Sequence, residues 1–152
     1  MVDAEWVLRF LTLLETWQDF SGDYRQSMDE YMARNADAGP RSLERVEGAF
    51  TGAIDACAAV FGNNAFKRPE RGGWRDQALA GVYDAEMVAF ATLSQHERGL
   101  ALDRAPLIER NVRRLFESDP RFEQSARQAT NTPARVAYRI GMVTDTIRAV
   151  LG

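Results

Sequence analysis

The chain has 152 residues, with 22 acidic and 19 basic side chains, a formal net charge of −3, one cysteine and one histidine. That length suits one domain able to bury roughly two-thirds of its unfolded surface. A lone Cys57 excludes an intramolecular disulfide, and with His96 the only histidine a Cys/His metal cluster lacks ligands and a Ser-His-Asp relay rests on that one residue.

The near-neutral charge gives no global electrostatic case for nucleic acid, so local patches must make it. Lys67 is the only lysine, and an arginine-heavy surface follows from genomic base composition as readily as from phosphate recognition. No apolar run approaches the roughly 20 residues that span a bilayer, and no basic-then-apolar leader opens the sequence. A reducing cytoplasm, with no membrane partner, is the expected setting.

The stretch up to Phe20 carries Trp6, Val7, Phe10, Leu11, Leu14 and Trp17 on one helical face, with Asp3 and Glu5 near its start, where the helix dipole favours acids. A helix that starts so abruptly suggests an excised piece or a split gene product. After the turn at Ser21-Gly22-Asp23, Tyr24, Met28, Tyr31 and Met32 mark a shorter helix that ends before Asn35, and Asn35 to Pro40 is linker by composition.

A longer stripe then places Leu43, Val46, Phe50, Ile54, Cys57 and Phe61 at steps of three and four, the spacing that stacks side chains on one helical face. Gly62 is suited to cap it with a positive φ, and Phe66 to fold back onto it. Pro69 and Gly72-Gly73 argue against a regular element in the following segment, which gives an internal basic loop over 62–73. Its Lys67, Arg68 and Arg71, with Arg75 just beyond, lie between Phe66 and Trp74. Such a loop can grip phosphates and stack a base; a solvated surface loop is the plainer alternative.

Leu79, Tyr83, Met87 and Phe90, widened by Val82, Val88 and Ala91, predict a helix more apolar than a surface helix, and hence central. The stretch from Ser94 to Arg104 is polar, and His96 falls in what reads as a helix-ending loop. Pro106 suits a first helical turn before the stripe Ile108, Val112, Leu115 and Phe116, with Arg110, Arg113 and Arg114 facing away. Asp119-Pro120 predicts an N-cap and first position for a short helix bearing Phe122 and Ala126, and Thr132-Pro133 repeats that punctuation. Val136, Ile140, Val143, Ile147 and Val150 then give the most regular stripe, which should close the core. The expectation is an all-α fold, a single-domain bundle of about six or seven helices over 1–152.

No catalytic set emerges. Asp84 and Glu86 share no helical face, while Asp29-Glu30 and Asp19/Asp23 sit near helix ends or turns, where acids favour caps and solvent. Phosphate-cradling glycine motifs are absent from the sequence. No metal ligands or cofactor are therefore assigned. Arg135 and Arg139 lie one turn apart near a helix start, where they would hold an anion; the competing reading is partial burial against an acidic neighbour. The same region scans as a helix-turn-helix through Ala126, Ala129, Val136 and Ile140, although Thr130 stands where the tight turn commonly has glycine.

Taken together, Glu5-Trp6-Val7-Leu8-Arg9-Phe10-Leu11, Phe61-Gly62-Asn63-Asn64-Ala65-Phe66, Asp84-Ala85-Glu86-Met87-Val88-Ala89-Phe90, Asp119-Pro120-Arg121-Phe122 and Arg135 with Arg139-Ile140 resemble the C-terminal helical half of the GmrSD-type restriction proteins, the family numbered 262 among domains of unknown function. The similarity runs from about Asp3 to Leu151. Members of that family carry an N-terminal half resembling a ParB/sulfiredoxin-like nucleotide-binding or nuclease domain with an Asp-Gly-Gln-Gln-Arg motif, and many add a C-terminal HNH-type nuclease. Neither the motif nor the HNH-type segment occurs in these 152 residues. The resemblance thus implies a non-catalytic helical scaffold or regulatory domain of a bacterial restriction or anti-phage defence protein, packed against an N-terminal half fused to it or separately encoded. It carries over no catalytic residue. Two alternatives stand beside it: a nucleic-acid-binding module using Lys67, Arg68, Arg71 and Arg75 or the helix bearing Arg135 and Arg139, and an oligomerisation domain that pairs with itself through exposed apolar surface.

Overall fold

The computed structural model describes residues 3–152. Its centre is the helix α4 (Ala80–Ala91), in which every residue from Gly81 to Phe90 is buried. A helix that is apolar on all sides needs neighbours on all sides. They are α1 (Ala4–Thr16), α3 (Pro40–Phe61), α7 (Pro120–Arg127) and α8 (Pro133–Leu151), with α8 making the most extensive contact. Outside this ring, α2 (Tyr24–Arg34) leans on α1, while α5 (Gln95–Asp103) and α6 (Ala105–Ser118) fill in between α3 and α8.

Helix ends follow local chemistry. Asp3, Asp23 and Asp119 accept the backbone N–H groups of Glu5, Gln26 and Phe122 at 3.1, 2.9 and 3.0 Å, and thereby satisfy amides that a helix start leaves free. Pro40 and Pro120 take first-turn positions, where a missing N–H costs nothing. Gly62 ends α3 with φ 55° and ψ −132°, a conformation that side chains oppose. Phe66, itself at φ 67°, crosses back with its ring 5.1 Å from that of Tyr83.

The fold is all-α, as the periodicity predicts, with two differences in detail. The polar segment after Ser94 is not a loop but α5: Ser94 and Glu97 form a reciprocal capping box, and most of the helix faces solvent, so it carries no apolar stripe to read. Between α3 and α4 the basic segment is not wholly irregular. Strands β1 (Pro69–Glu70) and β2 (Gly73–Trp74) pair antiparallel, Pro69 opposite Trp74, around Gly72 at φ 76°. Two-residue strands are too short to show an alternating pattern.

The predicted stripe on α3 splits along its length. Cys57 and Phe61 are buried, as are Ala53, Ala56 and Val60, whereas Leu43 near the start of the helix is 58% exposed. None of the helices among the described residues is long and apolar enough to cross a membrane.

Candidate functional site

A helix buried all round should carry no charge, yet α4 carries two acids in its most enclosed turns. Asp84 is completely buried. Its carboxylate accepts Arg9 Nε at 2.7 Å and Arg9 Nη2 at 2.6 Å, a two-pronged guanidinium grip from α1. Arg139 Nη2 reaches it at 2.7 Å from α8, and the Tyr24 hydroxyl from α2 at 3.0 Å. Three helices thus converge on a carboxylate carried by a fourth.

The partners are themselves tied down. Arg139, also completely buried, donates from Nη1 to the Ser125 carbonyl at 3.1 Å and from Nη2 to the Tyr24 oxygen at 3.1 Å. Its Nε has no partner. Arg9 lies 3.8 Å from the centre of the Tyr24 ring, so stacking supplements the ion pair. Burial opposes the charge on Arg9, but the hydrogen bond and attraction from Asp84 outweigh it and raise its pKa. Burial, and then the nearby Asp84 charge, push Tyr24 well above the ordinary phenol range, which keeps its proton available for donation. Two guanidiniums against one carboxylate leave this layer with one excess positive charge.

Glu86, buried on another side of α4, has no cation among its hydrogen-bond or ion-pair partners. Desolvation drives its pKa well above the ordinary value, only partly opposed by the Phe66 N–H that its Oε2 accepts at 2.8 Å. Cys57 is likewise enclosed and its thiol pushed up by burial; Met87 Sδ is its 3.9 Å neighbour.

The sequence-predicted site residues fall in three places. Arg139 does not stand at the surface beside Arg135; it turns inward to Asp84 and is completely buried, which removes it from the nucleic-acid or partner contacts and agrees with the competing reading of burial against an acidic neighbour. Arg135 remains near the surface and donates from Nη1 to the Gln128 carbonyl at 2.7 Å. On the hairpin, Arg68 is neutralised by Glu123 at 3.0 Å and approached by Glu70 at 3.6 Å, which fastens β1 to α7. Glu123 also holds Arg127 at 2.7 Å, and these bonds keep its carboxyl below the usual range. Lys67 and Arg75 are half-buried and Arg71 is exposed; none has an ion-pair partner among the described residues. The Arg113 guanidinium, 5.3 Å from the centre of the Trp74 ring, carries this basic surface onto α6. Among the described residues no three His, Cys, Asp or Glu side chains converge as metal ligands.

As a helix-turn-helix, the α7–α8 junction is unusual. Positive φ falls on Ala129, at 44°, one residue before Thr130. Ala126, Val136 and Ile140 are buried as the scan expected, but Ala129 is exposed.

The residues missed by local pattern are Arg9 and Tyr24. Their partner lies 75 and 60 residues away, and periodicity carries no trace of such pairing. The available signal was Asp84 itself, an acid inside a helix expected to be central, which required a cation. The class defined by fold and site is an α-helical domain closed around a buried Arg–Asp–Arg–Tyr cluster. Compared with known proteins, the chain matches no family model, no curated protein and no solved structure.

Proposed function

We propose that this chain is a non-catalytic helical scaffold or regulatory domain of a bacterial restriction or anti-phage defence protein, acting in the cytoplasm against a nucleotide-binding or nuclease half. One observation supports it above the others. Asp84, Glu86, Cys57 and Arg139 are all sealed in the core, where Asp84 and Arg139 bond each other, Glu86 accepts a backbone N–H and Cys57 faces Met87 Sδ. Their arrangement stiffens the domain and offers a substrate nothing. Apolar surface remains open meanwhile, on Leu43 and Met32 and in a cleft where Leu11 and Leu14 of α1 face Val46 and Ala49 of α3. A partner half would sit there.

A second reading, a nucleic-acid module, is favoured by Lys67, Arg71 and Arg75, which have no ion-pair partner among the described residues, on the segment that carries Trp74, with Arg113 over that ring although itself paired with Glu117. One set of assays separates the two. The scaffold reading expects the chain alone to give no nucleotide hydrolysis or DNA cleavage, and no duplex binding even at low ionic strength. Turnover abolished by a point change would sink it. A steep fall of duplex affinity with salt, flattened by Arg71→Ala, would instead establish the module.

A further inference from the structure

We propose that the cavity between α7 and the start of α8 is a binding site for a phosphate group. It measures about 260 Å³ and is lined by Arg121, Gln124, Ser125, Thr132, Ala134, Arg135 and Tyr138. Two arginines stand in that wall and no carboxylate does. Neither guanidinium has an ion-pair partner among the described residues, in contrast to Arg68 on the hairpin.

Both arginines are held in place beforehand. Arg121 lies over the Tyr138 ring, 3.9 Å from its centre, and Arg135 is moored by its bond to the Gln128 carbonyl. Pre-positioned side chains lose less freedom when a ligand arrives, and a planar guanidinium fork matches a phosphate edge. The backbone contributes as well. Thr132 makes no side-chain cap to α8, Pro133 has no N–H, and the Ala134 N–H has no acceptor, so the hydroxyl and the first amide of a 19-residue helix are open at the cavity.

The third contribution comes from inside the protein. Ser125 is shared between the cavity wall and the buried cluster, since its carbonyl accepts Arg139 Nη1. The buried Arg139 guanidinium therefore stands behind the Ser125 part of the wall, where low-dielectric surroundings screen its charge little. One acid is close. Asp119 accepts the Tyr138 hydroxyl at 2.6 Å and the Phe122 N–H at 3.0 Å, and opposes the site without lining it. Two cationic donors and no carboxylate line the space, so the fitting ligand is an anion with several acceptor oxygens. Arg121 covers one face of Tyr138, the one aromatic ring in the lining. The phosphate itself supplies the recognition, whether free or as the end of a mononucleotide.

The test titrates inorganic phosphate, and separately adenosine 5′-monophosphate, into the full chain at low ionic strength, followed by calorimetry and by backbone amide shifts. Saturable binding is expected, with the largest shifts at Thr132, Ala134 and Arg135. Arg121→Ala and Arg135→Gln should each weaken it by roughly tenfold or more, the scale of one charge-assisted hydrogen bond. Asp119→Asn retains a cap acceptor for Phe122 while removing the opposing charge, and should tighten binding, a change that no loss of fold would produce. Arg71→Ala on the hairpin should have no effect. Equal affinities for the two probes assign the site to phosphate alone, and a tighter mononucleotide assigns it to nucleotides. Unsaturable shifts, shifts centred on the hairpin, or affinity unmoved by the Arg121, Arg135 and Asp119 substitutions would overturn the proposal. Such a failure leaves the scaffold reading standing, because that reading depends on turnover and duplex binding.

Discussion

A carboxyl group with no cation beside it, such as Glu86, stays inside a protein by keeping its proton. Desolvation raises its pKa above the ordinary 4.5, while in the unfolded chain it ionises normally. The stabilising difference is complete below that ordinary value and is lost as pH climbs toward the raised one, with a slope of up to about 1.4 kcal/mol per pH unit. Glu97, Asp119 and Glu123, all shifted down, act in the opposite sense and at lower pH, where they become protonated. Urea denaturation between about pH 5 and about pH 8 should therefore show stability falling in the native chain. Glu86→Gln keeps an acceptor for the Phe66 N–H and should flatten that slope. An unchanged slope in the variant would assign the pH dependence to another group.

The residue scale was only partly open to the sequence. Asp119 was legible as a cap because the hydrogen bond it makes is local, three residues ahead. The burial of Asp84 was half-legible, because the helix around it read as central. Its partners were not. Arg139 sits at core spacing with Val136 and Ile140, and a guanidinium there reads equally as a snorkelling surface side chain until the facing acid is known.

Among elements, α4 sets the tightest constraint. A Cβ on Gly81 would lie 2.6 Å from the Ala126 carbonyl oxygen and 3.1 Å from its carbon, and backbone cannot swing aside as a flexible side chain does. Gly81→Ala should cost about 1–3 kcal/mol from forcing α7 off α4, against a helix-propensity gain of under about 1 kcal/mol. Gly48, on the exposed early part of α3, has no atom within 4 Å of its hypothetical Cβ, so Gly48→Ala should stabilise by about 0.5–1 kcal/mol. Thermal melts of the two variants should move in opposite directions; a shift of the same sign would refute the close approach. Stripes made α1, α3, α4 and α8 legible because burial of one face, or of every face, leaves a period in the sequence. The mostly exposed α5 and the two-residue strands leave none.

At the scale of the whole molecule, the Asp84 cluster binds the two ends of the chain to its middle. Arg9 lies near one end, Arg139 near the other, and Tyr24 on a third helix. Removing the carboxylate strands two buried guanidiniums, so Asp84→Ala should cost about 3–5 kcal/mol in urea unfolding. Arg139→Met should cost less, because Arg9 and Asp84 remain as a neutral pair. If the arginine substitution proved the costlier, packing around Arg139 rather than charge balance would be holding the layer.

That three-way clasp bears on how the polypeptide is made. At roughly 5–20 residues per second, a ribosome that has finished Phe90 needs several more seconds to deliver α8. Throughout that interval the nascent chain trails a greasy rod whose last covering strip has not yet been synthesised. Acquisition of the native core thus waits until α8 has been made, and a holding chaperone at the exit port is the natural guard against clumping in the meantime.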